Sequence, residues 1–378
     1  MKISKDIPAG NIKLIKAEGN KVHLDVELRD STNEWFYWKF KVVFSKIGKY
    51  EFHFVSPNKI GTRGPAVSLD QGNSWNWQSQ IEYTDTQNFQ YECTSPGEEV
   101  WFCQGIPYLQ NEFDAFANEF RTNSLFQLST LCTSRKGRNV ELITIKEGNP
   151  NFTILLTARH HAQEMMANYV LEGILRAILS DTGFAKEFRK HIAVIVVPFV
   201  DKDGVEDGDQ GKGRTPHDHG RDYLDDENIY PETKAVRRIV ITEKPAFILD
   251  LHCPWIRGGI YNETAYMVES ADKRYSKEMA RFGQILERES PSCVPYSRKH
   301  DIPFGKEWNT STNFATGIGL KHFGQKQPFV IFAQTLEIPF ANFEEKTITP
   351  QEMLLFGESI ARSIYMYKKE IDIVQKQN

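Results

Sequence analysis

An apolar run at residues 152–156 is followed by a short polar stretch and then by apolar residues at helical spacing as far as about residue 179. The run has the length and composition of a buried strand. The later pattern starts at Glu164 and predicts an amphipathic helix. The pattern therefore predicts a strand, a loop and a helix, with His161 and Glu164 at the junction, beyond the carboxyl end of the strand.

Strands and helices alternate through the chain from about residue 106 onward. The predicted strands are 140–145, 152–156, 192–197, 246–251 and 329–336, and the predicted helices are 111–122, 164–179, 231–242, 274–289 and 350–367. This alternation predicts an α/β domain with a mixed, mostly parallel sheet flanked by helices. The glycine-rich stretch 200–230 has no predicted element, and loops of that length in compact domains are usually functional or disordered.

The first part of the chain shows short aromatic or alternating runs separated by turn residues. These runs are 11–16, 22–28, 35–44, 50–55, 81–84 and 100–103. Such spacing predicts a small all-β sandwich, so we divide the chain into an N-terminal β-sandwich domain, 1–105, and an α/β domain, 106–378. Trp75 and Trp77 stand in a turn-rich segment. They are more typical of side chains that cover a domain boundary than of side chains that stack on a ligand.

Composition and charge exclude several classes of partner. The chain has 378 residues, 40% of them apolar and 25% charged, and a net charge of −4, which is the balance of a soluble globular protein. The sequence shows no basic stripe that would indicate nucleic acid and no apolar run of the ~18 residues that span a membrane. Five cysteines without paired spacing, and no visible signal peptide, favour a cytoplasmic location.

The end of a second predicted strand supplies one more candidate metal ligand. The strand 246–251 is followed directly by His252, and ligands of open α/β sheets bind beyond the carboxyl ends of strands. His161, Glu164 and His252 together form a donor set that suits one Zn²⁺ and leaves a fourth position open, as in catalytic sites. The alternative is that His252 is a hydrogen-bonded core histidine.

Two arginines and one glutamate complete the set of candidates. Arg214 and Arg221 lie in the long loop. They are either solvated charges or a cationic wall for a substrate carboxylate, which guanidinium groups bind through paired hydrogen bonds. Glu337 ends an apolar strand, where an unpaired buried carboxylate is costly. A cleft that raises its pKa would make Glu337 a general base.

In chain order, these segments resemble the motifs of the zinc carboxypeptidases, most closely those of the cytosolic carboxypeptidase branch. The matching segments are ARHHAQE, PFVDKDGV, GKGRTPHDHGRDY, LDLHCPW and QTLEIPF. The resemblance implies a zinc-carboxypeptidase-like fold, one zinc ion, and a peptide or protein C-terminus as substrate. It also implies roles: His161, Glu164 and His252 hold zinc, Asp218 orients His161, Arg221 binds the terminal carboxylate, Arg214 stabilises the oxyanion, and Glu337 is the base.

The chain departs from the family pattern at Gly220, where the family has asparagine, so one hydrogen bond to the substrate carboxylate is missing. The family's substrate-capping tyrosine has no match, although Tyr296 and Phe314 lie in the corresponding region. Two other functions therefore stay open. One is a zinc-dependent amidoacylase of the aspartoacylase type, and the other is a catalytically silent binding protein.

Overall fold

The N-terminal part of the chain forms two β-sheets around an aromatic core. The computed structural model describes residues 1–32, 34–224 and 228–377. The strands are β1 (Lys2–Ser4), β2 (Lys13–Glu18), β3 (Lys21–Asp25), β4 (Lys39–Val43), β5 (Gly48–Phe54), β6 (Ala66–Ser68), β7 (Asn76–Trp77), β8 (Asn88–Cys93) and β9 (Glu99–Cys103). The sheet orders are β1-β4-β9-β6-β7 and β2-β3-β5-β8, and Phe40, Phe52, Phe89 and Phe102 are buried together between them.

The rest of the chain forms an α/β layer structure. Its elements are α1 (Gln110–Glu119), β10 (Phe126–Thr133), β11 (Asn139–Ile145), β12 (Phe152–Ala158), α2 (Met166–Leu179), α3 (Gly183–His191), β13 (Ile192–Val197), α4 (Lys202–Asp207), α5 (Pro231–Glu243), β14 (Phe247–His252), β15 (Tyr266–Met267), α6 (Lys273–Glu289), α7 (Leu320–Gln325), β16 (Phe332–Glu337), β17 (Asn342–Phe343), β18 (Lys346–Thr347) and α8 (Pro350–Gln377). Seven strands form one sheet in the order β10-β11-β13-β12-β14-β16-β15.

The sheet is mixed around a parallel centre, as predicted. The pairs β13–β12, β12–β14 and β14–β16 are parallel, and the outer pairs are antiparallel. Every residue of β13 and of β14 is buried, because helices cover both faces of the sheet. Helices α2, α6 and α8 contribute to the core on one face, and α5 and α7 contribute to the core on the other.

Strand register brings the candidate residues to one edge of this sheet. Ala158 at the end of β12 pairs with Leu251 of β14, and His252 pairs with Glu337 of β16. The carboxyl ends of the three strands therefore meet, and the loop that follows β12 opens at the same edge.

Several predicted boundaries were wrong. The predicted strand 81–84 is not a strand, and the helix predicted to start at Glu164 begins at Met166. The stretch 200–230 is not without structure, because it contains α4 and the 3₁₀ helix His219–Arg221. These are short elements stabilised by local caps, such as the Asp201 carboxylate that accepts from Gly204 N at the start of α4, and hydrophobic periodicity does not detect them.

The division into two domains stays a prediction, and it falls between β9 and α1. Contacts cross this division: the Trp77 indole donates to the Ile348 carbonyl at 2.8 Å, and Phe36 packs edge-on against Trp255 and Phe340. Trp77 is buried there, in agreement with a side chain at the boundary between the two parts. Among the described residues, no helix combines the length and hydrophobicity needed to span a bilayer.

Candidate active site

Three side chains at the sheet edge converge on one point. Nδ1 of His161 lies 2.8 Å from one carboxylate oxygen of Glu164, and Nδ1 of His252 lies 2.8 Å from the other. The two Nδ1 atoms are 3.2 Å apart. Two nitrogens bound to a tetrahedral zinc at about 2.0 Å would be separated by about 3.3 Å, so the donors are spaced as a single ion requires.

The loop between β12 and α2 is held by a buried arginine. Arg159 has a left-handed backbone with φ of +63°, which costs roughly 1 kcal/mol or more for a residue with a side chain. Its buried guanidinium donates to the carbonyl of Tyr108 at 2.7 Å, to the carbonyl of Ala162 at 2.8 Å and to the Asn168 side chain at 3.1 Å. These bonds fix the turn that delivers His161 and Glu164.

Asp250 sets the orientation of His252. One Asp250 oxygen lies 2.8 Å from Nε2 of His252, and the other lies 2.8 Å from Nδ1 of His160 and accepts from the Thr157 hydroxyl at 2.7 Å. His160 in turn lies 2.6 Å from the Tyr223 hydroxyl. A proton held on Nε2 by this carboxylate leaves the lone pair of His252 Nδ1 facing Glu164, as metal-ligating histidines require.

The charges of the cluster fit a divalent cation. Burial opposes a charge on Glu164, but His161 and His252 hold the pKa of this carboxyl well below its ordinary value. Burial also opposes a charge on His252, yet Asp250 and Glu164 raise the pKa of its imidazole well above the ordinary value. The carboxylates therefore stabilise positive charge at a dry site, and a metal ion would replace the proton. The two imidazoles and one carboxylate fit zinc.

Glu337 faces the same site from the neighbouring strand. It lines the cavity together with His161 and His252, and its Oε2 has no hydrogen-bond partner within the described residues. Burial raises the pKa of Glu337, and the nearby Glu164 raises it further. An unpartnered carboxylate at this position is free to exchange a proton with a water or a substrate group.

Asp218 and Gly220 pack against the ring of His161. An Asp218 oxygen lies 3.5 Å from His161 Nε2, at the outer limit of a hydrogen bond, while its other oxygen accepts from Gly213 N at 2.9 Å. Although burial opposes ionisation, His161 holds the pKa of Asp218 well below its ordinary value. A Cβ at Gly220 would lie 2.7 Å from His161 Nε2, so the space that a side chain at position 220 would need is taken by the imidazole.

Arg221 lies in the cavity wall beside an asparagine from a distant loop. One guanidinium nitrogen donates to Asn313 Oδ1 at 3.0 Å, and another donates to the Gly220 carbonyl at 3.1 Å. Asn313 also lines the cavity. Its amide nitrogen is a donor beside Arg221. No local motif marks Asn313, and only the loop's proximity in space reveals it.

Arg214 does not lie with the other candidate residues at the cavity. It lies outside the cavity lining in a buried ion cluster, with contacts of 2.6 Å to Asp30, 2.7 Å to Asp201 and 3.3 Å to Asp209. One of these carboxylates, that of Asp30, comes from a residue distant along the chain. The prediction that Arg214 faces a substrate oxyanion is therefore not met by its position.

The cavity has a volume of about 480 Å³ and contains residues that the sequence analysis missed. Its wall includes the aromatic residues Trp35, Trp255, Tyr266 and Trp308 and the lysines Lys212 and Lys321. Tyr296 is not among them, since its buried hydroxyl donates to Asp301, and the side chain of Phe314 lies outside the described residues. The signal for these positions is weak, because single aromatic or lysine residues in loops are common.

The chain is similar in sequence to known zinc carboxypeptidases. Residues 113–226 match the zinc carboxypeptidase family model. Cytosolic carboxypeptidase 6 of Caenorhabditis elegans is 25% identical over 237 residues, which are 56% of this chain and 51% of that protein. Human cytosolic carboxypeptidase 6 is 20% identical over 306 residues, 75% of this chain and 58% of that protein.

The resemblance to the zinc carboxypeptidases is confirmed. The chain spans between half and three-fifths of the length of these two cytosolic carboxypeptidases.

Solved structures of bacterial metallo-carboxypeptidases share the fold over nearly the whole chain. The metallo-carboxypeptidase of Burkholderia cenocepacia aligns with a TM-score of 0.78 at 16% identity, over 98% of this chain and 99% of that one. The metallo-carboxypeptidase of Pseudomonas aeruginosa aligns with a TM-score of 0.78 at 19% identity, over 98% and 100% of the two chains. The predicted combination of an all-β N-terminal region and a carboxypeptidase-like α/β fold is confirmed.

Proposed function

We propose that the protein is a zinc-dependent metallocarboxypeptidase that hydrolyses the C-terminal peptide bond of a peptide or protein. The observation that carries the proposal is the convergence of His161, Glu164 and His252 beside the unpartnered carboxylate of Glu337, in a cavity that also holds Arg221. All five cysteines are free thiols, which is consistent with the reducing cytoplasm, where we propose that the enzyme acts.

Each residue has a separate task in this reaction. His161, Glu164 and His252 would hold one zinc ion, which in such sites acidifies water and polarises a carbonyl. Glu337 accepts a proton from the attacking water and returns it to the leaving amine. Asp218 and Asp250 keep the two imidazoles in the orientation that binding requires.

The substrate end is held by Arg221 together with Asn313. A guanidinium group binds a carboxylate through two parallel hydrogen bonds, and the amide nitrogen of Asn313 is placed to add a third. This pair restores the donor that is lost at Gly220, and it favours a substrate with a free C-terminus.

Peptides with free and amidated C-termini test this function directly. We expect the wild-type protein to release the last residue of a free peptide and to leave the matched amide intact. In the Arg221→Lys variant we expect kcat/KM for the free peptide to fall by about 10–100-fold, because lysine cannot form the paired contact. Mass spectrometry of both peptides, with an N-acyl amino acid included, gives the measurement. Hydrolysis of the acyl amino acid alone would indicate the amidoacylase, and no hydrolysis of any substrate would indicate a binding protein.

We expect Lys321 to determine which side chain the cavity prefers at the C-terminal residue of the substrate. Its ammonium donates to the Val268 carbonyl at 2.7 Å, and the residue lines the same cavity as Arg221. Burial, and then the charge of Arg221, lower the pKa of Lys321 to about 7. The group is therefore charged below that pH and neutral above it, so an acidic terminal side chain should bind better at the lower pH.

We expect the ratio of kcat/KM for a peptide ending in Glu to that for a peptide ending in Gln to fall as the pH rises through about 7, because kcat/KM reports the ionisation of the free enzyme. In Lys321→Met the ratio should be low at every pH. A ratio that is independent of pH in the wild type would show that Lys321 does not contact the terminal side chain.

A further inference from the structure

We propose that Lys212, and not Arg214, is the cation that stabilises the negative charge developing on the scissile carbonyl oxygen. This inference rests on the proposed function. It assigns a catalytic role to a residue that neither the sequence motifs nor the charge pattern of the loop singled out.

Lys212 stands at the reacting end of the cavity. Its Nζ lies 3.5 Å from a Glu164 carboxylate oxygen and 5.0 Å from the centre of the Trp35 ring, and Lys212 lines the cavity with His161 and Glu337. Its side chain is 29% exposed, so the ammonium borders the cavity rather than the core. A contact of 3.5 Å is too long for a strong hydrogen bond, and the ammonium keeps donors for a substrate oxygen.

Arg214 forms ion pairs outside the cavity. Its guanidinium is 6% exposed and meets the carboxylates of Asp30, Asp201 and Asp209. Turning it towards the cavity would break its ion pair with the buried carboxylate of Asp201, and breaking a buried pair is strongly destabilising. Asp209 would keep its second partner, Arg29, at 2.6 Å.

Arg214 acts instead as an anchor for the backbone that carries Lys212. The loop is tied to the N-terminal part of the chain: the Ser31 hydroxyl donates to the Lys212 carbonyl at 2.7 Å, and Thr32 N donates to the Gly213 carbonyl at 2.9 Å. Arg214 adds an ion pair with Asp30, a residue of the same N-terminal segment. These bonds hold the backbone at Lys212 and Gly213, so the side chain is the more mobile part of Lys212.

The chemical step that Lys212 serves can be written in full. The water oxygen bonds to the carbonyl carbon while Glu337 takes a water proton, and the π electron pair moves to the carbonyl oxygen as negative charge. The ammonium of Lys212 donates a hydrogen bond to that oxygen. The pair then reforms the double bond as the C–N bond breaks, and the leaving nitrogen takes the proton from Glu337, giving a carboxylic acid and a free amine. The acid then loses its remaining proton to the solvent and leaves as a carboxylate.

Lys212→Met tests the role, because methionine keeps the apolar stem and removes the charge. We expect kcat to fall by about a hundredfold or more with KM little changed, as when one oxyanion donor is removed. Lys212→Arg should keep most of the activity. Lys49→Met, at an exposed position of β5, is the matched control and should equal the wild type.

Binding of a peptide phosphonate provides a second readout, since its tetrahedral anionic oxygen mimics the charged intermediate. By calorimetry, affinity for the phosphonate should fall in Lys212→Met by about the same factor as kcat, while zinc content stays that of the wild type. An unchanged kcat and phosphonate affinity, or a rise in KM alone, would overturn the proposal. A wild type without any peptidase activity would overturn the proposed function as well, so the two failures are distinguishable.

Discussion

Glu337→Gln should bind zinc and fold as the wild type does, yet lose turnover by about 10²–10⁴-fold. The substitution keeps the shape of the side chain and removes the group that exchanges a proton, and general acid–base catalysis typically contributes this much. The relevant measurement is kcat with a free-C-terminus peptide at saturation, with zinc content determined by elemental analysis on the same preparation.

A matched control separates catalysis from the removal of a buried charge. Burial raises the pKa of Glu263 to about 7, but Glu263 lies outside the cavity lining. Glu263→Gln should therefore retain the wild-type kcat. If Glu337→Gln cleaves as fast as the wild type, Glu337 is not the base.

Gly220→Ala should weaken zinc binding by about 10–100-fold and reduce activity with it. The new Cβ would lie 2.7 Å from Nε2 of His161 and 3.2 Å from an Asp218 oxygen. The His161 ring is enclosed and also contacts Glu164, so it can make room for the Cβ only by moving away from the other two metal ligands. Loss of ligand orientation typically weakens metal binding by this factor. Competition with a chelator of known affinity measures the change.

Asparagine at position 220, which restores the family residue, should be at least as harmful as alanine for the same steric reason. Gly183→Ala is the control, because a Cβ there meets no atom within 4 Å. Wild-type zinc affinity in Gly220→Ala would mean that the loop can move away from His161 at little cost.

The parts of the site that the sequence predicts are those encoded by short segments at strand ends. His161, Glu164, His252 and Glu337 each follow or end a strongly apolar run, and parallel strands place their carboxyl ends at one edge. The pattern of each strand was therefore enough to predict that these four residues lie at the carboxyl edge of the sheet, while the strand order that brings them together comes from the structure.

The parts that could not be predicted depend on contacts between distant segments. The position of Arg214 is decided by Asp30, from the N-terminal part, and by Asp201. Asn313 reaches Arg221 across 92 positions. Charge alone did not distinguish Arg214 from Lys212, since both are cations of the same loop, and only their partners in space do so.

Short elements were missed for a different reason. Strands of two or three residues, such as β6 and β7, are too short to show a period of two, and α4 depends on the cap from Asp201. Trp35, Tyr266 and Trp308 were missed because no motif surrounds them. Trp255 was missed although it ends the segment LDLHCPW, because only the histidine of that segment was considered.

X-ray diffraction measured on both sides of the zinc absorption edge, from crystals of the purified wild-type protein, tests the central claim most directly. We expect one anomalous peak per chain, bonded to Nδ1 of His161, to Nδ1 of His252 and to a carboxylate oxygen of Glu164. A zinc-loaded protein with no peak there, or with its peak on other residues, would contradict the assignment of this cluster as the catalytic metal site.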